Sequence, residues 1–143
     1  MWLRIIASSL LALCTAHAQA HIRTDPNAFS TTFTWNGGDL DHSFELCVSS
    51  VQEPNPQGNT PIDYAVEVQG PFEVVSGTDS IPLTLSWGDL VGGQTVTLQP
   101  NLSTAELFTG ASRYCPGGNN ARLEVHASAT DIQAVPPGSY SNQ

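Results

Sequence analysis

Positive charge is scarce in this chain. It has no lysine and only four basic residues, against 13 acidic ones, which gives a formal net charge of −9. Because phosphate backbones and anionic membranes are recognised by clustered basic side chains, this composition disfavours binding to nucleic acid or to anionic lipid. Charged residues of both signs make up only 12% of the chain, which carries 12 glycines and 10 prolines. Such a composition is typical of a turn-rich extracellular β protein.

The chain also lacks an apolar run long enough to cross a bilayer. The run Ile5–Thr15 is well short of the roughly 20 residues that a spanning helix needs. It follows Arg4 and precedes Ala16-His17-Ala18-Gln19-Ala20, which offers two overlapping small-x-small cleavage sites. These features predict a secretory signal peptide over residues 1–20, cleaved after Ala18 or Ala20. We therefore expect one mature domain over residues 21–143, secreted to the periplasm or cell surface without membrane insertion.

Cysteine is scarce as well, with three in the chain. Cys14 leaves with the predicted signal, so Cys47 and Cys115 remain as an even pair in an oxidising compartment. Neither has a nearby histidine or second cysteine at ligand spacing, which argues against a metal site and against a catalytic nucleophile. The sequence therefore predicts one disulfide, Cys47–Cys115, which would stabilise the fold by roughly 4 kcal/mol.

Apolar residues recur at every second position in much of the chain, whereas helical periodicity hardly appears. The clearest half-buried strand is Ile62–Val68, in which Ile62, Tyr64, Val66 and Val68 share one face. About seven or eight such short strands, separated by turn signals, predict an all-β fold. We expect an antiparallel immunoglobulin-like β-sandwich, with a small barrel as the alternative.

The sequence also predicts a loop and seven further strands. Val51–Pro61 contains three prolines and is predicted to be a loop, whereas Leu102–Phe108 fits either a helical turn or an extended segment. The other predicted strands are Phe29–Trp35, Phe44–Val48, Phe72–Val75, Ile81–Trp87, Thr95–Leu98, Leu123–Ala127 and Ile132–Val135. The inward positions predict a core of Phe33, Trp35, Leu46, Val48, Tyr64, Val66, Val68, Leu83, Leu85, Leu123 and Val125.

One pattern suggests a copper site. After cleavage at Ala20 the mature chain begins with His21, whose amine and imidazole could chelate copper together with a second histidine. His42 and His126 are the candidates for that second ligand, but nothing in the spacing brings either of them to the N-terminus. The alternative is that His21 opens a flexible leader.

Other candidate chemistry is weak. Asp39, Asp41 and Glu45 offer three oxygen ligands where calcium needs six or more, so a solvated acidic turn is the simpler interpretation. No serine lies in a glycine-framed nucleophile elbow, and the strand carboxylates do not converge. We therefore predict no catalytic, cofactor-binding or metal-binding residues, and no enzymatic activity. Trp35 and Trp87 each precede a Gly- and Asp-containing turn, and each is predicted to be buried at the end of its strand.

The late segment Arg122–Tyr140 contains Ala134-Val-Pro-Pro-Gly-Ser-Tyr140. This segment resembles the closing half of secreted spore-coat-U-like domains, the subunits of archaic chaperone-usher pili, in which such a turn leads into a final strand. The resemblance places that strand where the chain reaches Ser141-Asn142-Gln143. Either the sequence is truncated there, or the sandwich lacks its last strand and relies on one from elsewhere.

The resemblance implies a non-enzymatic exported structural or adhesive surface protein that acts through strand pairing and surface contacts. Its partners would be a periplasmic chaperone or neighbouring subunits that interact by strand addition. The segment His21–Trp35 is either a donor strand for a neighbour or the first strand of its own domain. Two other function classes stay open: a secreted copper-binding protein or oxidase that uses His21, and a free extracellular module that binds a ligand through exposed aromatic residues.

Overall fold

The computed structural model describes residues 2–6, 20–25, 32–52, 61–112 and 115–141. These residues form ten strands and one short helix. In chain order they are β1 (Trp2–Ile6), β2 (Ala20–Asp25), β3 (Leu40–Gln52), β4 (Asp63–Gln69), β5 (Glu73–Ser76), β6 (Asp79–Pro82), β7 (Thr84–Asp89), β8 (Thr95–Thr97), β9 (Phe108–Thr109), β10 (Ala121–Ala127) and α1 (Ala129–Gln133). Within these residues, no helix is long and apolar enough to cross a membrane.

The strands form antiparallel sheets. The largest has the order β2-β3-β10-β7-β8, a second has the order β1-β4-β9, and β5 and β6 form a separate hairpin. The long strand β3 pairs with β10 through its first half and with β2 through its second, so that Leu46 lies opposite Ala121 and Cys47 opposite Asp25. The predicted all-β, sandwich-like fold is confirmed.

The core lies between the five-stranded sheet and β4. Among the predicted core residues, seven are buried: Leu46, Val48, Tyr64, Val66, Val68, Leu85 and Leu123. Val125 is partly buried and packs against this cluster, and Leu83 is half-buried. Alternation along a strand therefore identified the inward face of β3, β4, β7 and β10, because one face of each packs on the core while the other meets solvent.

Three aromatic rings fill the centre of this core. Tyr64 packs edge-on against Trp87, with ring centroids 6.4 Å apart, and lies 5.8 Å from Phe108. Trp87 and Phe108 are in turn 6.5 Å apart. Burial raises the pKa of Tyr64 to about 12, so its phenol stays neutral at any physiological pH. Edge-on aromatic packing of this kind adds to the free energy gained from burial alone.

The predicted first strand, Phe29–Trp35, is not formed over the residues that the structure describes. Residues 32–35 lie outside any sheet, and Phe33 and Trp35 are 39% and 41% exposed, so their predicted place in the core is wrong. The Trp35 Nε1 donates a hydrogen bond to the Gly38 carbonyl, 2.7 Å away, which holds the ring at its own turn. Phe29 and Thr31 lie outside the described residues.

The predicted strand Ile132–Val135 is also wrong, because the helix α1 occupies its first half and a turn follows. Ser128 caps this helix: its Oγ accepts a hydrogen bond from the Asp131 N–H at 3.1 Å and donates to Asp131 Oδ2 at 2.6 Å. A serine followed three residues later by an acidic residue is a helix-start signal, and here it prevails over the spacing of two apolar residues.

The structure also bears on the predicted loop Val51–Pro61 and on Leu102–Phe108, for which the sequence allows a helical turn or an extended segment. Val51 and Gln52 belong to β3, and residues 53–60 of the predicted loop lie outside the described part of the chain. The segment Leu102–Phe108 forms no helix: it bends at residues 105–106 and enters β9 at Phe108, and Ser103 bonds Glu67 instead of capping a helix with Glu106.

The buried residue Asn120 directly precedes β10, at the end of the hydrogen-bond ladder between β10 and β3. Asn120 is 7% exposed, and its side chain bonds both backbone groups of Val48: Oδ1 accepts from the N–H at 2.7 Å, and Nδ2 donates to the carbonyl at 3.0 Å. The Asn120 backbone N–H donates to the Leu46 carbonyl. The amide side chain thus takes the place of a strand partner for β3.

We expect Asn120→Ala to lower the free energy of unfolding by roughly 2–3 kcal/mol, because it leaves the buried backbone groups of Val48 without partners. Chemical denaturation monitored by circular dichroism measures the change. The neighbouring exposed residue provides the control, since Asn119→Ala should have little effect. Equal stability of the two variants would contradict the assigned role.

We expect Val66→Asp to prevent folding, because Val66 is fully buried and an unpaired charge there costs on the order of 3–5 kcal/mol. Val91→Asp is the matched control, as Val91 is 83% exposed. Near-UV circular dichroism and resistance to proteolysis would report folding. A folded Val66→Asp protein would show that the inward face of β4 is misassigned.

Candidate functional site

The strand β4 is covered along one edge by later parts of the chain. Its first residues pair with β9, and the segment before β9 continues the contact. The Asn101 N–H donates to the Val68 carbonyl at 2.8 Å, and the Thr104 N–H donates to the Val66 carbonyl at 2.9 Å. Thr104 Oγ1 also accepts from the Val66 N–H at 3.1 Å. This edge therefore depends only on residues of the predicted mature domain.

The opposite edge of β4 is covered by β1. The two strands are antiparallel, and residues 2–6 lie opposite residues 69–65, with Leu3 opposite Val68 and Ile5 opposite Val66. Within the described residues, β1 is the strand that pairs on this edge. The whole of β1 lies inside the segment that the sequence predicts to be a removable signal peptide.

The edge beside β1 belongs to a deeply buried strand. Tyr64, Val66 and Val68 have at most 1% of their surface exposed, and Ala65 is 6% exposed. Since successive residues of a strand direct their backbone groups to opposite edges, Ala65 and the two alternate residues after it direct theirs toward β1. Without β1, a row of backbone groups next to the core has no partner, which is the feature that recruits another strand.

The predicted disulfide is present. Cys47 and Cys115 are bonded, with their Cα atoms 5.9 Å apart, and the bond links β3 to the loop that precedes β10. Cys115 is buried and has a left-handed backbone, with φ at 41°. Because this conformation favours glycine, a cysteine is retained here for its side chain, which the bond to β3 explains.

Two of the three candidate calcium residues, Asp39 and Asp41, make contacts with later parts of the chain. Asp39 Oδ1 accepts from the Ala129 N–H at 2.7 Å, at the start of α1. Asp41 Oδ1 lies 2.7 Å from Nδ1 of His126 on β10. The described part of the chain holds no group of three or more His, Cys, Asp or Glu residues arranged for a metal ion.

The histidines proposed for a copper brace are not brought together. His42 belongs to β3 rather than to a loop, and His21 of β2 lies opposite Val51 at the far end of that strand. Nine residues of extended chain separate His42 from Val51, which corresponds to roughly 30 Å. His126 lies opposite Asp41, near His42 and equally far from His21.

The two tryptophans that precede turns differ in burial, and only one of them is buried as predicted. Trp87 is fully buried, as predicted, whereas Trp35 remains exposed at its turn. The similar sequences after the two residues do not determine burial, because only Trp87 lies on a strand with neighbours on both sides, β8 and β10.

No protein-family model, curated protein or solved structure matches the chain.

We expect the mature protein to contain no titratable thiol under denaturing conditions, because both of its cysteines are in the disulfide. Reduction should lower the melting temperature, in line with a loss of roughly 4 kcal/mol. Thiol titration and scanning calorimetry measure the two effects. A Cys47→Ser, Cys115→Ser double variant should melt like the reduced protein, and two reactive thiols in freshly exported protein would contradict the pairing.

Proposed function

We propose that the protein is a non-enzymatic, exported structural or adhesive surface protein, resembling a pilus subunit, that receives a β-strand from a partner. The observation that carries this proposal is the pairing of β1 with β4. The edge of a buried strand is covered by a segment predicted to be cleaved during export. Removal of residues 1–20 then leaves that edge open on an otherwise folded domain.

The open edge defines the kind of partner. A replacement strand must run antiparallel to β4, as β1 does, and must extend over about five residues to cover Ala65–Gln69. Because Val66 and Val68 are fully buried, the donor residues opposite them should be apolar, and the intervening residue need not be. A strand of a periplasmic chaperone or of a neighbouring subunit meets these requirements through strand addition.

Two further observations support this proposal. The turn Ala134–Tyr140 carries the resemblance to spore-coat-U-like pilus subunits. Directly after it, Ser141 pairs with β5: the Val75 N–H donates to the Ser141 carbonyl at 2.8 Å, and the Ser141 N–H donates to the Val75 carbonyl at 3.0 Å. This bridge at Ser141 lies at the position where the resemblance would place the start of a final strand.

The segment after the predicted cleavage site favours an internal role over a donor role. Residues 20–25 form β2, which pairs along six residues with the second half of β3 in the same chain. A segment engaged in its own sheet is not free to extend into a neighbour. We therefore propose that the donor strand comes from a partner protein rather than from residues 20–25 of another copy.

We expect the full chain to be monomeric and the chain of residues 21–143 to self-associate, because the second form has an unpaired edge on β4. A peptide of residues 1–8 should bind residues 21–143 and restore a monomeric complex. Size-exclusion chromatography with light scattering measures both effects.

The register of β1 supplies matched controls for the peptide. A peptide with Leu3→Asp and Ile5→Asp should fail, since these positions lie opposite Val68 and Val66, whereas Arg4→Gln should still bind because position 4 lies opposite Glu67. If residues 21–143 form a stable monomer that binds none of these peptides, the strand-acceptor proposal is wrong.

A further inference from the structure

Two large aromatic side chains are exposed just before β3, yet both are held in place. The Trp35 indole is fixed by its hydrogen bond to the Gly38 carbonyl. The Phe33 ring packs edge-on against His42, with centroids 4.9 Å apart, and His42 packs in the same way against Phe44 at 4.6 Å. Rings that are ordered but 39–41% exposed offer a rigid apolar surface at little cost in conformational entropy. They are suited to contact with a ligand.

Two depressions lie near these rings, one at the start of β3 and one over the outer face of the large sheet. Phe33, Trp35 and Asp39 contribute to a hollow of about 280 Å³. A second hollow of about 380 Å³ lies over β3, β7 and β10. Asp41 is among the residues that line both hollows, so the two adjoin, and its side chain is 74% exposed.

Strand register gives the second hollow its hydrogen-bonding groups. Glu124 of β10 lies between Ser43 of β3 and Ser86 of β7. One step along the same face of β10, His126 lies opposite Thr84. All five side chains line the hollow, which therefore presents hydroxyl, carboxylate and imidazole groups at neighbouring positions. These groups both donate and accept hydrogen bonds.

Two carboxylates that line this depression have polar partners. Asp41 lies 2.7 Å from the His126 imidazole, and Glu124 Oε1 lies 3.2 Å from Arg122 Nε. The net charge of −9 disfavours an anionic ligand. An uncharged ligand with many hydroxyl groups and an apolar face fits both the rings and the polar lining.

We propose that the adjoining hollows form a binding site for a neutral glycan. Trp35 would stack on the apolar face of a sugar ring, and the Asp41 carboxylate would accept hydrogen bonds from adjacent sugar hydroxyls. The hydroxyl groups of Ser43 and Ser86 extend the site across the sheet. This site shares no residue with the β4 edge, so the glycan site does not depend on the strand-acceptor function.

The test uses the full chain on an array of neutral hexose and N-acetylhexosamine oligosaccharides, together with sialylated and sulfated counterparts and a lysine-rich peptide. We expect binding to neutral glycans in preference to the others. Calorimetry with the best neutral oligosaccharide should then show that Trp35→Ala weakens binding roughly tenfold or more. Asp41→Asn should weaken it as well.

Two control variants match these substitutions. Leu107→Ala removes an apolar side chain of similar exposure, 42%, outside the hollows. Asp63→Asn neutralises an exposed carboxylate that bonds Thr109 on the other sheet. Both should bind the oligosaccharide like the parent chain. The proposal is overturned if no neutral glycan binds, if the sialylated glycans or the basic peptide are preferred, or if Trp35→Ala and Asp41→Asn bind as the controls do.

Discussion

The strand β4 imposes the main constraint on this molecule, because a buried strand needs hydrogen-bonding partners on both of its edges. Its side chains occupy the centre of the core, so its backbone has little access to water. Each buried backbone group without a partner costs on the order of 1–3 kcal/mol, which is a large share of the stability of a small domain. One edge is covered by residues 100–109, and the other by β1. The identity of whatever occupies the β1 position therefore determines whether the sandwich is complete.

A second constraint operates on β3: within the described residues, no continuous strand pairs with its second half on the β10 side. Several separate contacts replace it. The Asn120 side chain pairs with Val48, the Ser50 N–H donates to the Ala111 carbonyl at 3.2 Å, and the Ile62 N–H donates to the Ser50 carbonyl at 3.0 Å. The disulfide from Cys47 to Cys115 ties the same loop to β3. These residues cover an edge of β3 as β1 covers an edge of β4, but they belong to the predicted mature domain, whereas β1 lies in the predicted signal peptide.

The sequence predicts those features that depend on local alternation and on composition. Val66 and Val68 are recognisable as core residues because polar or small residues separate them, and the cysteine count leads to the disulfide. Trp35 is a case in which alternation predicts burial wrongly. It continues the alternation of Phe33 but lies beside a turn. Alternation alone does not reveal whether a neighbouring strand is present to cover a side chain. The Ser128 cap was readable as a serine followed by an acidic residue three positions later. The role of Asn120 was not readable, since its partner Val48 is 72 residues away in the sequence.

Neither proposed site could be predicted from the sequence, because each is formed by residues that are far apart in the chain. The β4 edge arises because residues 2–6 and 65–69 meet in space, and the glycan site arises because β3, β7 and β10 align Ser43, Glu124 and Ser86 in one row. The two sites belong to different sheets. The first uses the edge of the β4 sheet, and the second uses the solvent-facing side of the five-stranded sheet. A partner strand added beside β4 would extend its sheet laterally and would leave the face that carries Asp41 and His126 uncovered. The proposed strand addition and the proposed glycan binding are therefore compatible in one molecule.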